Sequence, residues 1–157
     1  MIAIQLKADV IFSSQTDMWE TPQYLFDELD REFHFGIDAC ATPENAKCEN
    51  FFTQKEDGLK QKWGGYGTIW CNPPYGRQIW RWVKKAKEEA ILGNTVVMLV
   101  PARTDTLWFH EYIYKKPNVE IRFVKGRIKF GGSRYNAPFP SMIVIFKGGI
   151  NGSSSVS

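Results

Sequence analysis

Residues 95–100 read Thr-Val-Val-Met-Leu-Val, an apolar run of β-branched character without a charge in it. Such a strand is covered on both faces, as in a parallel sheet layered between helices. The preceding segment agrees. "GTIWC" (67–71) predicts a second short strand. Between the two, "QIWRWVKKAKEEAIL" (78–92) places Ile79, Trp82, Val83, Ala86, Ala90 and Ile91 on one helical face and Arg81, Lys84, Lys85 and Lys87 on the other. Strand, amphipathic helix and strand form the unit of a parallel sheet.

The remaining segments extend that layout. Thr21 followed by Pro22 reads as an N-cap and a first helical residue, and Leu25, Phe26, Leu29 and Phe33 recur at helical spacing, which predicts a helix over 22–31. "FGID" is a strand that stops at Asp38. "TDTLWFHEYIY" predicts a helix, "NVEIRFV" a strand, and "GRIKF" with "SMIVIF" a final pair. The expected fold is α/β, a mostly parallel sheet with an antiparallel edge and helices on both faces. With 157 residues, 43% hydrophobic and 15% aromatic, the chain has material for one core. A single domain is expected over 1–147, and the Gly/Ser-rich "GGINGSSSVS" predicts a flexible tail over 148–157.

Composition narrows the setting. Lys and Arg number 20 against 17 Asp and Glu, a mild basic balance compatible with a polyanionic partner. Cys40, Cys48 and Cys71 have neither disulfide-framework nor zinc-ligand spacing, so reduced thiols in a cytoplasm and no metal are expected. No run approaches the roughly 20 apolar residues of a membrane span, and the start lacks the pattern of a signal peptide.

Ligands of open α/β sheets bind beyond the carboxyl ends of the strands, and here those ends carry Asp38, Asn72 and Pro101-Ala102-Arg103. Asn72 opens Asn72-Pro73-Pro74-Tyr75, where two prolines lock an extended, stiff loop. An amide oxygen and a backbone carbonyl, Asn72 Oδ1 and that of Pro73, are the acceptors an exocyclic amine needs. Its lone pair is delocalised into the ring, and hydrogen bonds from both amino hydrogens to preorganised dipoles make the nitrogen more nucleophilic. Tyr75 offers a π-face to a base taken out of the duplex stack.

Asn-Pro-Pro-Tyr after a strand resembles the catalytic motif of S-adenosylmethionine-dependent amino-group methyltransferases, most of all the adenine-N6 class. "ETPQYLF" followed by "IDACA" resembles their cofactor motifs, which implies cofactor contacts from Thr21, Pro22, Asp38, Ala39, Cys40, Ala41 and Asn72. Small side chains let the backbone approach the methionine part, and a carboxylate takes its ammonium. Asp57 in "EDGLKQKW" lies fifteen residues before Asn72, as does the family's acid for the cofactor adenine. From "TDMWETPQYLF" through "NPPYG", "VMLVPARTDT" and "GRIKF" to "APFPSMIVIF" the chain resembles phage-encoded Dam-type DNA N6-adenine methyltransferases.

That resemblance implies a Rossmann-like S-adenosylmethionine-dependent methyltransferase without a separate recognition domain, acting on double-stranded DNA as a monomer or homodimer in the cytoplasm of a host cell. Phe139 would stack on the flipped base, and Arg103 and Arg134 are the candidates for phosphate contacts. With only eighteen residues between Asp38 and Asp57, the second strand is reduced to a stretch such as "CENFF", and Glu44 or Glu49 would serve the ribose. His34 and His110 receive no role. Cytosine N4, RNA adenine and a protein glutamine amide present the same planar amino group, and an inactive nucleic-acid-binding relative is the alternative of a different class.

Overall fold

The computed structural model describes residues 17–148, so the first sixteen residues and nearly all of the expected tail lie outside the described residues. In chain order the elements are α1 (Gln23–Phe33), β1 (Phe35–Asp38), a 3₁₀ turn (Gly58–Lys60), β2 (Thr68–Cys71), α2 (Ile79–Ile91), β3 (Val96–Pro101), α3 (Leu107–Tyr112), β4 (Val119–Phe123) and β5 (Ser141–Phe146). They build a mixed five-stranded sheet of order β1-β2-β3-β5-β4. β1, β2 and β3 run parallel. All six residues of β3 and all six of β5 are buried, as the apolar run predicts.

Register assigns the two faces, because paired residues in adjacent strands point the same way. Trp70, Val97 and Ile145 share one face, as do Leu99, Ile143 and Arg122. α1 covers it: Phe26 meets Trp70 edge-on at 5.6 Å, and Glu32 pairs with Arg122 at 2.7 Å. On the opposite face Phe146 and Val119 form a groove with Lys87, Ala90 and Ile91 of α2. Helices therefore lie on both faces of the sheet.

Three expectations change. β5 does not pair with "GRIKF" and the reversed strand is not at the rim; β5 sits between β3 and β4, antiparallel to both. Residues 126–130 form no strand, because their backbone folds back, with the Ala137 N–H donating to the Ile128 carbonyl at 2.8 Å. Their apolar alternation has another purpose, since Ile128 and Phe130 are buried. The second strand near "CENFF" shrinks to a single bridge between Asp38 and Phe51.

The third change is at the first helix. α1 begins one residue later than expected and reaches Phe33; Pro22 is the N-cap, and no side chain caps this end. At the other end His34 takes a left-handed φ of 54°, and its N–H closes on the Asp30 carbonyl at 2.8 Å. Asp30 Oδ1 then accepts the Phe35 N–H at 2.8 Å. Helix turns into strand within one residue, which aims β1 and its terminal Asp38 along the sheet.

Gly58 packs the 3₁₀ turn against the end of β1. A Cβ there would lie 2.3 Å from the Ala39 carbonyl oxygen and 3.1 Å from the Trp82 ring, so only glycine permits the approach. The Gly58 carbonyl accepts the indole N–H of the fully buried Trp63 at 2.8 Å. Asp57, just before it, is thereby held beside the β1 end.

Candidate active site

At the carboxyl ends of β1 and β2 lies a cavity of about 200 Å³, lined by Trp19, Thr21, Asp38, Cys40, Asn45, Lys47, Trp70 and Asn72 among others. Asp38 and Trp70 are register partners, so successive even positions of each strand face the same way and bring Asp38 and Asn72 to one wall. Of the residues predicted from sequence, Thr21, Asp38, Cys40 and Asn72 reach the cavity.

Asp38 is 3% exposed. Its Oδ1 accepts the Cys40 N–H at 3.2 Å and its Oδ2 the Lys47 N–H at 3.0 Å. Burial lifts its pKa from 3.8 to about 6, against the opposing pull of those two N–H groups and of the Lys47 charge. Burial and then the charges of Asp38 and Asp57 push the Cys40 thiol up to about 12, so it stays protonated. Lys47, which lines the cavity, donates from Nζ to Gln23 Oε1 on α1 at 2.9 Å. The cavity thus offers a carboxylate and an ammonium, the complement of an amino-acid zwitterion.

The Asn72 side chain is constrained from one side only. Its Nδ2 donates to the Trp19 carbonyl and, at 2.9 Å, to Thr21 Oγ1. Its Oδ1 is buried and has no hydrogen-bond partner among the described residues. A buried acceptor without a donor is unfavourable by roughly 1–3 kcal/mol, and such atoms in native sites await a ligand or a water.

Beyond Asn72 stands an aromatic cluster. Tyr75 is buried, its hydroxyl donates to the Leu99 carbonyl at 3.0 Å, and burial raises its phenol well above the ordinary value. Its ring lies near-parallel to Trp19 at 6.4 Å and edge-on to Phe139 at 5.7 Å and Phe130 at 6.1 Å. Trp19 and Phe139 are 5.1 Å apart. Tyr75 and Phe139, each expected to face the base, thus pack against one another, and neither lines the cavity. Arg103 is exposed, its positive charge opposing the rise that burial gives the Tyr75 phenol, and Arg134 is exposed in the loop that carries Phe139.

Other predicted residues fall elsewhere. Ala39 and Ala41 are buried behind the cavity wall. Asp57 does not line the cavity; it holds a φ of 60° and its side chain accepts the Leu59 N–H at 3.1 Å. Pro22 starts α1. Glu44 and Glu49 are exposed and outside the wall. His110 Nε2 lies 2.7 Å from the Thr104 carbonyl oxygen.

Sequence reasoning missed Trp19, Asn45 and Lys47. A signal existed for the last two. Thr42 and Asn45 exchange bonds, Thr42 N–H to Asn45 Oδ1 at 2.7 Å and Asn45 N–H to Thr42 Oγ1 at 3.2 Å. That Thr-x-x-Asn turn in "CATPENAK" carries Lys47 back over Asp38.

Among the described residues no cluster of three or more His, Cys, Asp or Glu could hold a metal ion, and no helix is long and apolar enough to cross a membrane. Fold and site define an α/β protein with a charged cavity at its strand ends and an aromatic-lined Asn-Pro-Pro-Tyr loop beside it. Residues 10–156 match the family described as DNA N-6-adenine-methyltransferase (Dam), and the chain belongs to that family. It is similar to the DNA N-6-adenine-methyltransferase of Haemophilus phage HP1, 31% identical over 142 residues, covering 85% of this chain and 80% of that protein. A protein of the same description from Escherichia phage T1 is 40% identical over 96 residues, 60% of this chain but only 40% of the T1 protein's length.

Proposed function

We propose that this chain transfers a methyl group from S-adenosylmethionine to the N6 amino group of adenine in double-stranded DNA, on a Rossmann-like methyltransferase fold. The observation that carries this reading is the buried Asn72 Oδ1, without a partner among the described residues, on the wall of a cavity that also holds Asp38. The cofactor supplies an electrophilic methyl group on a sulfonium. Its amino-acid end suits the Asp38 carboxylate and the Lys47 ammonium, and about 200 Å³ matches that end better than a whole nucleoside. Asp57, beside the β1 end, is the candidate for the adenine amine of the cofactor.

Asn72 Oδ1 accepts a hydrogen from the target amine, and the Pro73 carbonyl accepts the other. With both hydrogens engaged, the nitrogen lone pair is freed from the ring and the developing cation meets dipoles already in place; as the N–C bond formed, the sulfonium–methyl bond would break to release S-adenosylhomocysteine, and the nitrogen would then lose one proton to solvent. Tyr75 and Phe139 hold the flipped base, while Arg103 and Arg134 take phosphates. The aromatic cluster of Trp19, Tyr75, Phe130 and Phe139 favours a base over a glutamine amide, since every base has a π-face and an amide has little.

Incubation with tritiated S-adenosylmethionine and, separately, unmethylated duplex DNA, RNA and protein extract tests this reading. Label is expected in DNA. Label confined to RNA or protein would assign the same amine chemistry to another acceptor.

A further inference from the structure

Thr21 lines the cavity, and the resemblance places it among the cofactor ligands; its hydrogen bond, however, goes elsewhere. We propose that Thr21 is a positioning residue for the amine-polarising amide: its hydroxyl, together with the Trp19 carbonyl, fixes the orientation of Asn72 so that Oδ1 faces the target amine. This rests on the reading of Asn72 given above.

The geometry is one of acceptor and donor matching. The amide nitrogen of Asn72 has two hydrogens and two acceptors, the Trp19 carbonyl and Thr21 Oγ1 at 2.9 Å. A carbonyl oxygen cannot donate, so a flipped amide would set Asn72 Oδ1 against the Trp19 oxygen. The flip is therefore opposed, and Oδ1 is left as the free acceptor. Engagement of both N–H groups also polarises the amide and makes its oxygen a stronger acceptor.

Thr21 gives up its ordinary use to do this. A threonine before a proline at a helix start commonly caps the helix. Here Pro22 is the N-cap without any side-chain hydrogen bond, while Thr21 is 3% exposed and turned toward Asn72. The hydroxyl is thus committed across 51 residues of sequence rather than to its own helix.

The segment from Asp17 to Thr21 is held at two points, on Tyr75 of the catalytic loop and on Gly131. The Tyr75 N–H donates to the Asp17 carbonyl at 2.7 Å, and the Gly131 N–H to the Glu20 carbonyl at 2.8 Å. Glu20 and Gly131 form an antiparallel bridge, which sets the backbone of this segment beside residue 131. Trp19 and Thr21 are held at a fixed height over Asn72 by contacts that leave the cavity open.

Thr21→Val, which keeps the shape and removes the acceptor, and Thr21→Ser, which keeps the acceptor, separate positioning from cofactor binding. Single-turnover methyl transfer at saturating cofactor and DNA is expected to fall ~10- to 100-fold in Thr21→Val and to recover to within about threefold in Thr21→Ser. Affinity for S-adenosylhomocysteine by calorimetry is expected to stay within about twofold of wild type in both variants. A Thr21→Val protein that binds the homocysteine product at least about tenfold more weakly yet turns over normally at saturation would make Thr21 a cofactor ligand and overturn the proposal. So would unchanged rate and unchanged affinity. Wild-type protein that transfers no methyl group at all overturns the underlying reading of Asn72 instead, and is seen before any variant is made.

Discussion

Asn72→Ala is expected to lower the rate of methyl transfer by about 10²–10³-fold, the loss that follows removal of one preorganised hydrogen-bond partner from a reacting centre. The residue is suited to so large an effect because its oxygen is buried and accepts no hydrogen bond from the described residues. The acceptor is thus oriented before the amine arrives, and no reorganisation is needed during reaction. The same substitution leaves the Trp19 carbonyl and Thr21 hydroxyl without their donor. Thermal melting of the variant should still show a cooperative transition, because the sheet core of β3 and β5 does not depend on Asn72. DNA binding by gel shift should survive while turnover is lost. Full activity in Asn72→Ala would remove the amide from the chemistry.

The second large effect concerns Asp38 and pH. Its carboxyl, raised by burial to about 6, holds a proton in the folded chain at pH values where the unfolded chain, at 3.8, has lost it. The stability from Asp38 is therefore complete below 3.8 and is lost as pH rises through about 6. At about 1.4 kcal/mol per pKa unit, the ionised carboxylate weakens the ligand-free fold by about 3 kcal/mol above that pH.

An ammonium group placed on Asp38 recovers part of this, so affinity for S-adenosylhomocysteine should rise about tenfold per pH unit up to about 6 and level off above. The thiols near Asp38 do not share that titration. The thiols of Cys40 and Cys48 are both held up to about 12, and Lys47 adds a positive charge whose effect on Asp38 is downward. Asp38→Ala should weaken binding about 100-fold at pH 7.5 and flatten the pH profile, as calorimetry from pH 5 to 8 would record. A wild-type profile that is flat across this range would separate Asp38 from the ammonium.

Much of this arrangement is legible in the sequence because strands betray their ends. Asp38 and Asn72 each stop an apolar run, and the period of two in adjacent strands brings both to one wall. Phe139 was legible only through resemblance, and it does stand beside Tyr75. What stayed hidden depends on partners far apart in the chain. Thr21 before Pro22 has the local signature of a cap, and nothing in that signature reveals an amide 51 residues on.

The "GRIKF" segment misled for a related reason. Ile128 and Phe130 alternate like strand residues, yet β5 is already paired along its length with β3 and β4. The alternation instead buries Phe130 beneath Trp19, at 5.3 Å, in the aromatic cluster. Lys47 escaped notice because its role comes from a turn that returns it to Asp38, not from its neighbours in sequence.

Nucleoside analysis by mass spectrometry of unmethylated duplex DNA, after incubation with the protein and S-adenosylmethionine, bears most directly on the assignment of Asn72 to an adenine amine. N6-methyladenine should appear with the wild-type chain and be almost absent with Asn72→Ala. N4-methylcytosine in its place, or equal N6-methyladenine from both proteins, would contradict it.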